Sequence, residues 1–121
     1  MSRSRMEVLA HVSSGLALAV CVGCSAAPVA VTPAGATVTI GRSDAADGCT
    51  EIGPIEVSHG HGCGGFGAEG DYAGAYAMLK NEAADRGANY VRLDQQVPPY
   101  SDGHCAHNEF TMRGVAFRCP P

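Results

Sequence analysis

The sequence predicts an α+β fold: one helix packed on a small mixed sheet of three to four strands, with a β-α-β-β core and two disulfides. Three observations predict it. Residues 71–86 carry a single apolar stripe at helical spacing. Stretches of alternating apolar residues flank that segment and recur at the C-terminus. Four cysteines remain once a leader and the lipidation candidate Cys24 that follows it are set aside, an even number in a short chain.

The leader occupies residues 1–23. Arg3 and Arg5 form a positive n-region, and residues 12–22 are an apolar stretch of h-region length, too short to span a bilayer. It runs directly into Gly23–Cys24. A small residue and then a cysteine after an apolar stretch is the cleavage signature of bacterial lipoproteins, whose cysteine thiol is acylated. The expectation is a signal peptide over 1–23 and a lipid-modified Cys24 that holds the chain to the lipid bilayer. The competing reading is an ordinary cut near Ala26 or Ala27, which leaves a soluble periplasmic protein. Ser25, standing where an Asp would retain the protein at the inner membrane, points to the cell outer membrane, with the domain in the periplasm.

All 121 residues fit one domain at most. Removing Arg3, Arg5 and Glu7 with the leader takes the net charge from −4 to −5. Nucleic acid calls for a basic surface, so an acidic domain of this size excludes it as a partner. With no Trp and few aromatics the core is modest, and a domain this small depends on covalent staples.

The elements follow in order. Residues 24–37, the lipidated Cys24 and the small, Pro-containing, uncharged stretch after it, read as a flexible tether; the folded domain is then 38–121. Val38 and Ile40 alternate within a short edge strand over 37–42. Residues 49–57 form a strand with Ile52, Ile55 and Val57 apolar, and Gly53–Pro54 inside it implies a bulge or an edge position. The glycine-dense stretch 58–70 is a loop. The helix spans 71–86, with Asp71 as N-cap, Tyr72, Ala75, Tyr76, Leu79 and Ala83 on its stripe, and Gly87 as its stop. Val91, Leu93 and Val97 mark a strand over 89–97 that ends at Pro98–Pro99. Residues 100–108 read as a polar loop. The last strand, 109–119, sets Phe110 and Met112 on one face and Val115 and Phe117 on the other.

Strand, helix and second strand suggest a crossover with the two strands parallel, and the last strand then fits between them, antiparallel to both. This order places Cys49 and Cys119 at one end of the sheet and Cys63 and Cys105 in loops at the other. The predicted bridges are therefore Cys49–Cys119 and Cys63–Cys105; the remaining connectivities would span the length of the sheet.

A resemblance adds to this reading. Leu79-Lys80-Asn81, Ala83-Ala84, Gly87-Ala88-Asn89 and Val91, followed by Gly114-Val115-Ala116-Phe117 and Cys119, form a recognisable pattern together with Cys49-Thr50-Glu51-Ile52-Gly53 and Val57. Over about 49–119 the chain resembles the small outer-membrane lipoproteins related to RcsF, the sensor lipoprotein of an envelope-stress phosphorelay. The resemblance implies a periplasmic, disulfide-bonded α+β domain on a lipid anchor. Cys63 and Cys105 look like one of that sensor's disulfides, and Cys49 and Cys119 match short lipoproteins with the same core.

The one cluster suggestive of chemistry is His59, His61 and Cys63 with His104, Cys105 and His107. If Cys63 meets Cys105, four imidazoles gather in one pair of loops, where they could hold Zn or Cu. The alternative is an oxidised pair of cysteines flanked by solvent-facing histidines, as an oxidising compartment favours. Catalytic signatures are missing: there is no nucleophile elbow, no Lys-Ser/Thr after the glycine-rich stretch, and no Cys-x-x-Cys after residue 24. The sequence thus predicts a non-enzymatic envelope lipoprotein, structural or stress-sensing, acting through contacts with an unidentified envelope protein. Its rival is a periplasmic metal-binding lipoprotein that uses His59, His61, His104 and His107.

Overall fold

The computed structural model describes residues 25–121. The leader and Cys24 lie outside the described residues. A short helix α1 (Pro33–Ala36) leads into strand β1 (Thr39–Gly41) and strand β2 (Thr50–His59). A 3₁₀ turn (Gly64–Phe66) precedes the main helix α2 (Tyr72–Asp85), which is followed by strand β3 (Tyr90–Val97). A small ribbon of β4 (Tyr100–Ser101) and β5 (Ala106–His107) comes before the last strand, β6 (Phe110–Arg118).

The sheet order is β1-β3-β6-β2. β6 runs antiparallel to both β2 and β3, so those two are parallel to each other, and β1 adds to the far side of β3 in parallel. The fold class, the central place of the last strand and the mixed four-stranded sheet are as the sequence predicts. Both expected disulfides are present, Cys49–Cys119 and Cys63–Cys105, closing separations of 70 and 42 residues.

α2 lies on one face of the sheet. Ala75, Leu79 and Ala83 from the helix meet Ile55 and Val57 of β2, Val91 and Leu93 of β3, and Met112 and Ala116 of β6. Leu79, Met112, Val38 and Val91 are the largest fully buried side chains, each contributing about 1.5–3 kcal/mol by leaving water. The stripe is as predicted except at its start, where Tyr72 is half exposed and stacks on Tyr76 at 5.5 Å. In β2 the register shifts between Glu51 and Gly53, and the bulge turns Ile52 outward to 40% exposure, not into the core as its apolar character suggested. Pro54 has no N–H to give to a ladder; it sits on β2, the sheet's outermost strand on that side.

The helix ends on a Schellman motif. The Gly87 N–H donates to Ala84 O and the Ala88 N–H to Ala83 O, both at 2.9 Å, with Gly87 at φ 79°. Ala88 is buried beside Ala83 in the core. Asn89 then grips the chain end from both sides: its Oδ1 accepts from the Cys119 N–H at 2.7 Å and its Nδ2 donates to Cys119 O at 2.8 Å. The triplet Gly87-Ala88-Asn89 therefore stops a helix, fills the core and fastens the residue that carries a disulfide.

Two loop expectations need correction. Residues 25–37 are not a free tether but a strap laid on the domain. The Ala26 N–H donates to Glu69 O at 2.8 Å. Asn81 donates from Nδ2 to Ala30 O at 2.9 Å and accepts from the Thr32 N–H at 2.8 Å. Thr32 caps α1 by accepting from the Gly35 N–H, with Pro33 opening the helix, and α1 packs on α2. The small residues that suggested a linker are what lets the strap lie close: a Cβ on Gly35 would strike the Asn81 side chain. Residues 100–108 are likewise not an open loop. Asp102 Oδ1 accepts from the N–H groups of His104 and Cys105 at 2.9 and 3.0 Å, folding a turn that pairs β4 with β5.

The two disulfides should not weigh equally on stability. Chain entropy gives each about 4 kcal/mol and separates them by only about 0.5 kcal/mol. Cys49–Cys119 holds paired strand ends, whereas Cys63–Cys105 joins loops. Replacing Cys49 and Cys119 by Ser should lower Tm more than replacing Cys63 and Cys105; thermal melts of the two double variants check the ranking. Asn81→Ala should loosen the strap, because Ala30 O and the Thr32 N–H lose their partner, at a cost of about 1–3 kcal/mol. Hydrogen exchange should accelerate over residues 26–35 while the β6 amides stay protected.

Candidate functional site

The histidines sit at the end of the sheet where β2 stops, α2 starts and β6 starts. His59, the last residue of β2, is only 4% exposed. Its Nδ1 accepts the Asp71 N–H at 3.0 Å, which leaves Nε2 as the protonated nitrogen that donates to Ala27 O at 2.9 Å. The ring packs against the backbone of Gly74, where a Cβ would overlap it. His59 is thus a buried tie between the strap, the sheet and the start of the helix, with both nitrogens spent on backbone.

His61 is exposed, its N–H donating to Ala68 O at 2.9 Å across the glycine-rich loop. His104 is exposed in the Asp102 turn. His107 stacks on Tyr100 with ring centroids 4.5 Å apart and holds Asp102 Oδ2 with Nε2 at 2.8 Å. The four imidazoles predicted to gather do not converge. Among the described residues no three His, Cys, Asp or Glu side chains come together in a metal-holding set. Cys63 and Cys105 are bonded to each other, and His59 faces inward, which also departs from the alternative of four solvent-facing histidines.

An open groove of about 400 Å³ lies beside this ribbon, lined by Ser58, Val97, Tyr100, His107, Thr111 and Arg113 among others. Its polar groups are mostly engaged with one another. Ser58 Oγ and Thr111 Oγ1 are 2.8 Å apart, and Arg113 pairs with Glu56 while donating to Gln95 Oε1 at 3.1 Å. Asp102 is the most perturbed carboxylate. The hydrogen bond from His107, together with the N–H groups of His104 and Cys105, holds its pKa down at about 2.

Asn108 organises the glycine-rich loop. It is 6% exposed and donates from Nδ2 to Gly64 O at 2.8 Å, while its own carbonyl accepts the Gly70 N–H at 2.8 Å. Both Asp102 and Asn108 escaped the sequence reading. For Asp102 the signal was the Asp-Gly step after Pro98–Pro99, a turn signature. Asn108 left no signal, since its partners lie in a loop far along the chain. Phe66, at the tip of the same loop, is fully exposed at 101%.

Fold and site define a small α+β domain, one helix on a four-stranded mixed sheet, with a disulfide at each end. The chain belongs to the DUF4156 family, described as a domain of unknown function, whose sequence model matches residues 29–119. The match begins within the strap and takes in its residues 29–37. Curated proteins and solved structures yield no match. Among the described residues no helix is long and apolar enough to cross a membrane.

The lowered pKa of Asp102 has a definite sign. A carboxylate held below its unfolded value near 3.8 favours the folded ribbon at pH values above that, and the advantage fades as the pH falls through about 2. The Asp102 carboxyl resonance should titrate near pH 2, and in His107→Ala its midpoint should rise toward the ordinary range, as carbon-detected NMR can follow.

Proposed function

We propose that the chain is an outer-membrane lipoprotein, cut before Cys24 and acylated there, whose domain faces the periplasm and acts by contact with another envelope protein. The observation that carries this reading is the apolar leader stretch running straight into Gly23–Cys24, directly ahead of a domain closed by two disulfides. Disulfides persist outside the reducing cytosol, so the bonded cysteines and the leader support the same compartment. The resemblance to the RcsF-related lipoproteins supports it further and narrows the role to structural support of the envelope or sensing of stress within it.

A contact role suits the chemistry at the loop end. His59 is committed to structure, the Ser58 hydroxyl is shared with Thr111, and the Asp102–His107 pair is stacked on Tyr100. The Ser58–Thr111 and Asp102–His107 pairs shape a surface, and His59 holds it from beneath. On this reading no metal takes part.

The test is direct. Mass spectrometry of the mature protein from a bacterial host should find an acylated Cys24 at the N-terminus. Cys24→Ala should abolish both the modification and fractionation with the outer membrane. A free amine at Ala26 or Ala27, or unchanged fractionation of the variant, would refute the proposal.

A further inference from the structure

The strap changes what a lipid anchor at Cys24 would do. Ser25 bridges in parallel with Glu69, and the Ala26 N–H is bonded to Glu69 O. Cys24 is one residue further, about 3.8 Å from Ser25 along the chain. An acyl group on Cys24 would therefore be joined to the domain with almost no slack, at one particular place: the glycine-rich loop at the end of the sheet.

That place carries an aromatic group the fold does not use. Phe66 is three positions before Glu69, so it lies within about 11 Å of the residue that receives the strap, even if the chain between them were fully extended. It is 101% exposed, the most exposed large apolar side chain of the domain, and the turn Gly64–Phe66 holds it at the loop tip. The Cys63–Cys105 bond, the Asn108 hydrogen bond to Gly64 and the His61–Ala68 pairing brace the loop that presents it. The two other half-exposed aromatics, Tyr72 at the start of α2 and Tyr100 at the start of the ribbon, belong to the same end of the sheet. Rings of this kind favour the membrane–water boundary, where an apolar body and a polar tip are both accommodated.

We propose that this end of the domain seats on the bilayer that holds Cys24, with Phe66 entering the acyl boundary and Tyr72 and Tyr100 at headgroup level. The inference rests on the lipoprotein reading and adds an orientation to it. Glu69 and Asp71 beside the loop are acidic and exposed, so the surface fits zwitterionic phospholipid and not an anionic one. The Cys49–Cys119 end then points away from the membrane. Lipid-anchor and loop are complementary: one acyl-bearing residue holds a protein to a bilayer without orienting it, and a second apolar contact nearby fixes the pose.

The chain has no Trp, so a single introduced indole reports without background. The acylated full-length mature protein carrying Phe66→Trp would be placed in vesicles of zwitterionic phospholipid with brominated acyl chains. The control is Ile52→Trp; Ile52 is partly exposed and about 23 Å along β2 from His59, where the strand reaches the loop end. In the F66W protein, emission should shift to the blue and lose most of its intensity to bromine; the I52W protein should keep its emission. If both are acylated and float with vesicles yet F66W is no more quenched than I52W, the seating is wrong and the lipoprotein reading stands. That same result is what a protein partner on Phe66 would give. If mass spectrometry finds no acyl group on Cys24, the lipoprotein reading fails and the seating fails with it.

Discussion

The sheet depends on its last strand. β2 and β3 share no hydrogen bond; each is paired to β6, whose residues are the final ones of the fold. Until Phe110–Arg118 inserts, the helix has no complete surface to cover, and Met112 and Ala116 are absent from the core it needs. Contacts of such long sequence separation demand loop-closure entropy before they return any burial. The two disulfides act on that cost. Cys49–Cys119 ties the residue before β2 to the residue after β6, and Cys63–Cys105 ties the loop after β2 to the ribbon before β6, so both shrink the unfolded ensemble along the pairing that the fold requires. Asn89 adds a non-covalent grip on Cys119 and links the end of β6 to the start of β3.

This dependence explains why the architecture was legible in the sequence. Asp71 and Gly87 bracket α2, and the apolar alternation at Val91 and Leu93 and at Phe110 and Met112 marks β3 and β6. With a helix between two strands and a third strand to follow, few topologies remain, and the strand order they leave pairs the four cysteines. What was hidden has a common physical cause. His59 and Asn81 act on backbone atoms 32 and 51 residues away, and neither periodicity nor turn chemistry encodes such partners. The strap itself resembles a linker because it is built from small residues, yet small residues are also what a segment needs to lie against a helix. α2 is in fact buried on two sides: Ala75, Leu79 and Ala83 face the sheet, while Gly74, Ala77 and Asn81 recur at helical spacing on another flank, Gly74 against His59 and Asn81 against the strap. An amphipathic pattern read for one stripe misses the second when its members are Gly, Ala and Asn.

The histidine cluster shows the same limit from the functional side. Spacing alone made His59, His61, His104 and His107 equivalent, since all four flank the cysteines of one bridge. Their environments are not equivalent. His59 ends a strand on its core-facing side, following Ile55 and Val57 at period two, and so is buried and spent on structure. His107 is drawn to Asp102 by the turn that closes the ribbon, while His61 and His104 point into solvent. The alternation that identified β2 already placed His59 with the core residues; extending the strand by two positions beyond Val57 separates it from the other three.

The two ends of the sheet therefore divide the work. At one end the strands are closed by Cys49–Cys119, the Asn89 grip and the stop of α2, all of it regular and locked. At the other end the chain arrives at Ser25, the aromatics are exposed, and the loops are braced by one disulfide and by Asn108. His59 is the joint between strap and sheet at that second end. The proposed membrane seat there would leave the helix-free face of the sheet and the locked end available to a partner. That face carries ion pairs, Arg92 with Asp94 and Asp44, and Arg113 with Glu56, around the half-buried Phe117 and Tyr90. Paired charges around an aromatic centre would have to be desolvated by any binder, which favours a partner that supplies its own charges to the rim and an apolar group to the middle.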